Sequence, residues 1–321
     1  MKIRRLLVAA ANIMLTVAVA VTAMSGCKSK TVDGTETKPT AVATIFAYYD
    51  ALRAIGGADV NCVILLPPRQ SPHEYSPTIG DRASIAKASL VIKNGLMIDN
   101  WVDKLLGGTT SAAVVDVGQV VKELGIRPLQ TEEISVTPAS ETKPGESEDV
   151  SAGNPHIWLD PRVQAMAAEA IRDALVKMDP AHKDGYESRA KAYLEDLRKL
   201  DEEFAQAAKG FKQKDFIGFH SAYAYLAQRY GLNQVASVEE LPDQGPSAAQ
   251  LKNIIELIRE KHIKVIFTES AFEPKAANRI VEETGVKTGV LQPLETYDSL
   301  DQTYTSLMRE NLEALKAALN P

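Results

Sequence analysis

Three histidines occupy the same kind of position in the chain. His73 lies in the loop "RQSPHEYSP" behind an apolar run, His156 lies in "NPHIWLDP" just ahead of a helix start, and His220 directly follows the run "DFIGF". Each imidazole taken alone is more often a hydrogen-bonded structural group than a ligand. Their shared placement, where regular structure begins or ends, favours a joint role. Neutral imidazoles bind zinc, manganese or iron, and one oxygen ligand would complete the coordination shell.

The other two histidines have a different setting. His182 in "DPAHKDG" and His262 in "REKHIKV" lie on strongly charged helical segments. Because charged helix faces are solvated, we expect both rings to be exposed and to take no part in a site.

The elements that must position the three rings follow from the hydrophobic pattern. Helical windows at 48–55, 81–88 and 98–106 separate the first predicted strands, which are "AVATIF", "VNCVILL", "SLVIKNG" and "AAVVDV". A second alternating series of strands and helices follows residue 210. Alternation of this kind is typical of parallel sheets covered by helices.

Two helical windows and a polar segment separate these series. Residues 128–153 are polar, acidic and without a period, which predicts a long mobile loop. A helix is predicted over 161–178 with Asp160 as its N-cap, followed by a longer helix over 180–209. We therefore predict an α/β protein with two lobes, each a parallel sheet flanked by helices, joined by one long rigid helix. The lobes are predicted at 41–179 and 210–321, with the ligand site in the cleft between them, at the carboxyl ends of the strands.

Composition and the N-terminal segment limit the classes of protein to which the chain can belong. The chain has 45% hydrophobic and 24% charged residues, as globular proteins do, and its net charge of -6 without a basic stripe argues against a nucleic-acid partner. Basic residues before an apolar run predict an export signal over 1–27. Its end, "MSGC", resembles the lipobox of bacterial lipoproteins, in which Cys27 would carry the lipid. The alternative is that the apolar run is retained as a membrane-spanning segment. The polar residues 28–40 are predicted to be a flexible tether.

Five separated motifs carry a family resemblance. They are "LLPPRQSPHEYSPT", "LVIKNGLMIDNWVDKLL", "NPHIWLDP", "FIGFHSAYAYLAQRYGL" and "VLQPLETYDS". In this order they resemble the zinc and manganese solute-binding lipoproteins of bacterial ABC importers, the ZnuA/TroA-like family (cluster A-I), and among these the laminin-binding zinc lipoproteins. The resemblance implies two α/β lobes joined by a long helix. It also implies a receptor, not an enzyme, that captures the ion outside the cytoplasm and delivers it to a membrane permease driven by an ATPase.

The resemblance also implies a set of metal ligands. Carried over residue by residue, the ligands are His73, His156, His220 and Glu295. Histidine at the third position, where manganese-type members often have glutamate, favours Zn2+, with Mn2+ as the second choice. The chain departs from the family at Ser76, where glutamate is frequent. The 128–153 loop also lacks the histidine cluster of many zinc members, which argues against a metal-collecting role for that loop.

Several alternatives stay open on the sequence. Glu269, at the end of "VIFTE", is predicted to hydrogen-bond a ligand imidazole, and Asp298 and Asp301 are rivals of Glu295. A zinc-dependent hydrolase, with water in place of Glu295 and Glu74 as general base, is a less favoured function. Binding of a host matrix protein, a property of some relatives, has no marker in the sequence.

Overall fold

The computed structural model describes residues 38–107, 111–126, 129, 153–239, 245–270 and 275–320. The predicted export signal with Cys27, nearly all of the tether and most of the 128–153 loop lie outside these ranges. None of the helices inside them combines the length and the apolar character that crossing a bilayer requires.

The first lobe is built on a parallel sheet. Its strands are β1 (Thr40–Ala43), β2 (Asn61–Ile64), β3 (Leu90–Lys93) and β4 (Ala113–Asp116), and its first helices are α1 (Phe46–Gly56), α2 (Ile79–Lys87), α3 (Trp101–Leu106) and α4 (Val117–Glu123). The strand order is β2-β1-β3-β4, and all neighbours are parallel. Every residue of β3 is buried, as expected for a central strand with helices on both faces. β1 begins one residue earlier than the predicted lobe boundary.

Helix α4 was not predicted from the sequence. Asp116 ends β4, and its side chain accepts a hydrogen bond from the Gln119 N–H at 3.0 Å, which caps a new helix at once. The apolar run there predicts the strand correctly. A helix of seven residues, however, has too few turns to show a 3.6-residue period in sequence.

Two helices lie between the two sheets in the chain, α5 (Pro161–Met178) and α6 (Lys183–Ala208), with a 3-10 turn over Pro180–His182 between them. The Asp160 side chain accepts a hydrogen bond from the Arg162 N–H at 2.9 Å, which confirms the predicted N-cap of α5. α6 has 26 residues and is about 39 Å long at 1.5 Å per residue. It buries one stripe, comprising Tyr186, Ala190, Leu197, Leu200, Phe204 and Ala208. This long helix links the lobes, as the sequence predicts.

The second lobe repeats the architecture of the first. Its strands are β5 (Asp215–Gly218), β6 (Asn233–Ser237), β7 (Val265–Thr268) and β8 (Lys287–Val290), and its helices are α7 (Ala224–Tyr230), α8 (Ala248–Lys261), α9 (Lys275–Thr284) and α10 (Tyr304–Leu319). The strand order is β6-β5-β7-β8, again all parallel. One hydrophobic cluster contains Phe46 and Trp158 of the first lobe together with Phe267 and Tyr304 of the second, so the lobes share a core beside the cleft.

Candidate metal centre

Each predicted ligand lies on a loop at the end of a strand or at the start of a helix. His73 is in the loop that leaves β2, and His156 directly precedes a 3-10 turn (Ile157–Leu159) ahead of α5. His220 lies two residues beyond β5, and Glu295 follows β8. The carboxyl ends of parallel strands are where open α/β sheets bind ligands, so these loops occupy the position that a site requires.

The four side chains converge on one point. The Nε2 atom of His156 lies 3.2 Å from His73 Nε2 and 3.1 Å from His220 Nε2. Glu295 Oε2 lies 3.6 Å from His156 Nε2, 3.8 Å from His73 Nε2 and 3.9 Å from His220 Nε2. None of these side chains is more than 3% exposed. The structure therefore brings together all four predicted ligands in a buried cluster.

These spacings suit a four-coordinate ion. In a regular tetrahedron with ligand atoms about 2.1 Å from the centre, neighbouring ligand atoms are about 3.4 Å apart. The separations of 3.1 to 3.9 Å given above bracket that value. Within the described ranges, no other group of three or more His, Cys, Asp or Glu side chains is close enough to hold a metal ion.

Hydrogen bonds to the ring Nδ1 atoms orient two of the imidazoles. His156 Nδ1 lies 2.9 Å from Asn154 Oδ1, which also accepts the His156 backbone N–H at 3.0 Å. His220 Nδ1 lies 2.7 Å from Glu269 Oε1. Since an amide or carboxylate oxygen accepts, the ring proton is on Nδ1 in both cases. A neutral ring with that proton presents its Nε2 lone pair to the shared point, as metal binding requires.

The Glu269 carboxylate is buried against the His220 ring. It directly follows β7, and its side chain is fully buried. Burial raises the pKa of Glu269, and the nearby His220 opposes the rise. Among the described residues its Oε2 atom has no hydrogen-bond partner. The contact with a candidate ligand is where the sequence predicts it, and an effect of Glu269 on metal binding stays a prediction.

The Glu295 carboxyl group is buried beside the three imidazoles. Its side chain is fully buried, and neither carboxylate oxygen has a hydrogen-bond partner among the residues described. An ionised carboxylate in such a place costs several kcal/mol unless a cation or hydrogen bonds offset the loss of water. In their neutral forms with the proton on Nδ1, two of the three neighbouring rings present lone pairs to this point rather than N–H groups. A divalent cation at the shared point would satisfy the carboxylate and the imidazoles together.

The rival residues lie elsewhere. Asp298 and Asp301 are exposed, and Asp298 lies 3.7 Å from the Arg69 guanidinium rather than near the imidazoles. Glu74 is exposed as well, so it does not supply a buried general base. His182 and His262 are exposed, as predicted.

Two asparagines at the site were missed by the sequence prediction. Asn154 orients His156, as described above, and its Nδ2 group donates to the Ser221 carbonyl oxygen at 2.7 Å. Asn94 Nδ2 donates to the carbonyl oxygen of Pro155 at 3.0 Å. The peptide ahead of His156 is thus fixed from two sides. The sequence offered a signal for Asn154 alone, which adjoins the Pro-His pair.

The chain is similar to known proteins in sequence. A model of the family described as zinc-uptake complex component A, periplasmic (ZnuA), matches residues 41–318. The chain is 33% identical over 284 residues to the zinc-binding lipoprotein AdcA of Streptococcus pneumoniae, covering 86% of this chain and 54% of that protein. It is 32% identical over 282 residues to the high-affinity zinc uptake system protein ZnuA of Bacillus subtilis, covering 87% of this chain and 86% of that protein. It thus spans about half the length of the AdcA relative and most of the Bacillus protein.

The fold also matches a solved structure. The laminin-binding protein of Streptococcus agalactiae, described as bifunctional with adhesin and metal-transporting activity, superposes with a TM-score of 0.73 at 29% identity. The match covers 88% of this chain and 99% of that one. The family resemblance and the two-lobed α/β fold predicted from the sequence are confirmed.

Proposed function

This chain belongs to the ZnuA family, and we propose that it is the zinc-binding receptor of an ABC importer, acting outside the cytoplasm. The observation that carries the proposal is the buried Glu295 carboxylate, without a hydrogen-bond partner among the described residues, beside three convergent imidazoles. We assign His73, His156, His220 and Glu295 as the ligands of the captured ion. Zinc is here the cargo of the protein.

The ligand set suits capture rather than catalysis. Four protein ligands close a tetrahedral shell, whereas a catalytic zinc ion has three protein ligands and an open position for water. A hydrolase would also need a general base beside the bound water, and Glu74 is not among the side chains that converge on the shared point. The names of both curated relatives describe binding or uptake of zinc and no reaction.

Zinc is favoured over manganese as the cargo. Manganese prefers oxygen-rich, higher-coordinate sites, and three imidazoles with one carboxylate suit the borderline-soft zinc ion. The two curated relatives are named for zinc. Mn2+ is the second choice.

Delivery of the ion needs partners and a location. We assign as partners a membrane permease and its ATPase, in keeping with the uptake system for which the Bacillus relative is named. Lipidation of Cys27 would anchor the receptor to the outer face of a membrane and keep it near the permease. The AdcA relative is named a lipoprotein.

The test of this function is a set of histidine variants. His73, His156 and His220 are changed together to alanine, and zinc binding is measured by calorimetry. Loss of stoichiometric binding is expected. A matched variant with the exposed His182 and His262 changed to alanine should bind as the parent does. Undiminished binding by the triple variant would refute the ligand assignment, and a preference for Mn2+ in direct competition would establish the second-choice metal.

Similarity to the laminin-binding protein favours a second, compatible role in binding a host matrix protein. A pull-down of purified laminin with the metal-free and metal-loaded chain tests it. Retention above that of an unrelated lipoprotein supports the role, and equal retention refutes it.

A further inference from the structure

The loop that carries Glu295, residues 291–303, belongs to the second lobe in sequence but is attached to the first lobe. The Phe46 N–H donates to the Glu295 carbonyl oxygen at 3.1 Å. The Trp158 Nε1–H donates to the Pro293 carbonyl oxygen at 2.7 Å. Phe46 and Trp158 are both buried residues of the first lobe. The backbone at Glu295 is therefore held from across the cleft.

A second attachment lies further along this Glu295 loop. Arg53 of α1 donates guanidinium N–H groups to the carbonyl oxygens of Leu300 and Gln302. Asp50 Oδ1 accepts from the same guanidinium at 2.8 and 3.1 Å, and Asp50 Oδ2 accepts from the Tyr304 N–H at 3.0 Å. Asp50 is 2% exposed, so its own bonds to Arg53 and to the Tyr304 N–H are shielded from water on the Asp50 side, whereas the bond from Arg53 to Leu300 is exposed.

His220 is held differently. Its Nδ1 atom bonds to Glu269, and Gln234 Nε2 donates to its carbonyl oxygen at 2.7 Å. Both partners belong to the sheet region of the second lobe. Beside His220 there is one bond from the first lobe, from Asn154 Nδ2 to the Ser221 carbonyl oxygen. The Glu295 loop is bonded to the second lobe at its start, where the Leu291 N–H donates to the Thr268 carbonyl oxygen at 3.0 Å, and to the first lobe at Pro293 and at Glu295 itself.

We infer that Asp50 and Arg53 are positioning residues for metal binding that act through the Glu295 loop. The inference rests on the proposed function, because it needs Glu295 to be a ligand. Without the Arg53 guanidinium, two backbone carbonyl groups of the loop lose their donor, and Asp50 loses its cation. The Glu295 carboxylate then spends less time at the ion, water replaces it, and the ion dissociates faster.

The first test compares Arg53→Ala with a matched control, Arg309→Ala. Arg309 also contacts two carboxylates, Asp196 at 3.0 Å and Glu203 at 2.9 Å, but it joins α10 to α6 and does not hold the loop. Zinc affinity is measured by chelator competition, and the visible spectrum is recorded with Co2+, which absorbs strongly only when four-coordinate. For Arg53→Ala we expect an affinity loss of about tenfold and a weaker Co2+ spectrum. Arg309→Ala should leave both unchanged.

A double-mutant cycle separates positioning from general destabilisation. In a Glu295→Ala background, Arg53→Ala should change zinc affinity by no more than about twofold, because its effect passes through Glu295. A further loss as large as in the parent background would overturn the inference, as would parental affinity in the Arg53→Ala single variant. If the alanine variant fails to fold, Arg53→Lys, which keeps the charge and one donor, should show an intermediate loss; parental affinity there would also overturn it.

The two proposals fail in different ways. A parent protein that binds no zinc refutes the proposed function and the inference with it. Zinc binding that depends on Glu295 but not on Arg53 refutes the inference alone.

Discussion

Replacing Glu269 with glutamine removes a negative charge behind the His220 ring while leaving an oxygen to accept its Nδ1–H. The bond is 2.7 Å long, and both side chains are fully buried. A hydrogen bond to a charged group contributes about 1 to 1.5 kcal/mol more than a neutral one, which corresponds to about tenfold in a binding constant. Because this hydrogen bond also forms in the zinc-free protein, the substitution lowers zinc affinity only by the amount by which zinc binding strengthens the bond. For Glu269→Gln we therefore expect a zinc affinity that is lower by more than about twofold and by at most about tenfold.

Glu269→Ala should weaken zinc binding more, by about 100-fold, because nothing then keeps the ring proton on Nδ1. The assay is chelator competition near neutral pH. Asp201→Asn is the control, since it makes the same chemical change in a carboxylate that bonds Arg229 and Tyr230 instead of a ligand. The reasoning is refuted if Glu269→Gln binds zinc within twofold of the parent while the histidine variants lose it.

Three further outcomes are expected. Zinc affinity, followed by calorimetry, should fall as the pH is lowered, because protons compete with the ion for the imidazoles; a flat profile from pH about 7.5 to 5.5 would contradict this. Burial raises the pKa of Asp99 to about 6, against hydrogen bonds from Thr44 and from backbone N–H groups, so its carboxyl NMR signal should titrate near 6 rather than near 4. Between those pH values the folded state holds more protons than the unfolded chain, and the contribution of Asp99 to the free energy of unfolding decreases as pH rises. Leu200→Ala, in the buried stripe of α6, should lower that free energy by about 2 to 5 kcal/mol in urea unfolding, and a loss below about 1 kcal/mol would contradict the packing described.

Periodicity predicted most of the fold because strands and long helices bury one face at a regular spacing. It failed where buried residues lie outside regular secondary structure. The apolar run "VKTGVLQPL" predicts a strand to residue 294, but β8 ends at Val290. Leu291 and Leu294 are buried, yet outside the strand, in the Glu295 loop. A hydrophobic residue indicates burial, but it does not indicate whether the residue belongs to a strand, a helix or a loop.

The candidate ligands could be predicted because each lies in a motif, such as Pro-His or Gln-Pro-Leu-Glu, through which the chain resembles its family. The residues that position them could not. Arg53 reaches the carbonyl oxygen of Gln302, 249 residues later in the chain, and Asn94 reaches that of Pro155. A backbone acceptor has no side-chain identity, so no residue type at positions 302 or 155 marks the contact. Only the packing of the two lobes brings such partners together.

X-ray absorption at the zinc K-edge tests the central claim most directly, since it reports the ligands of the bound ion. We expect a four-coordinate ion with three imidazole nitrogens and one carboxylate oxygen at about 2.0 to 2.1 Å. In Glu295→Ala the carboxylate oxygen should be replaced by water, with three imidazoles retained. A shell with fewer than three imidazoles, or one without an oxygen ligand in the parent protein, would contradict the assignment of His73, His156, His220 and Glu295 as a closed capture site.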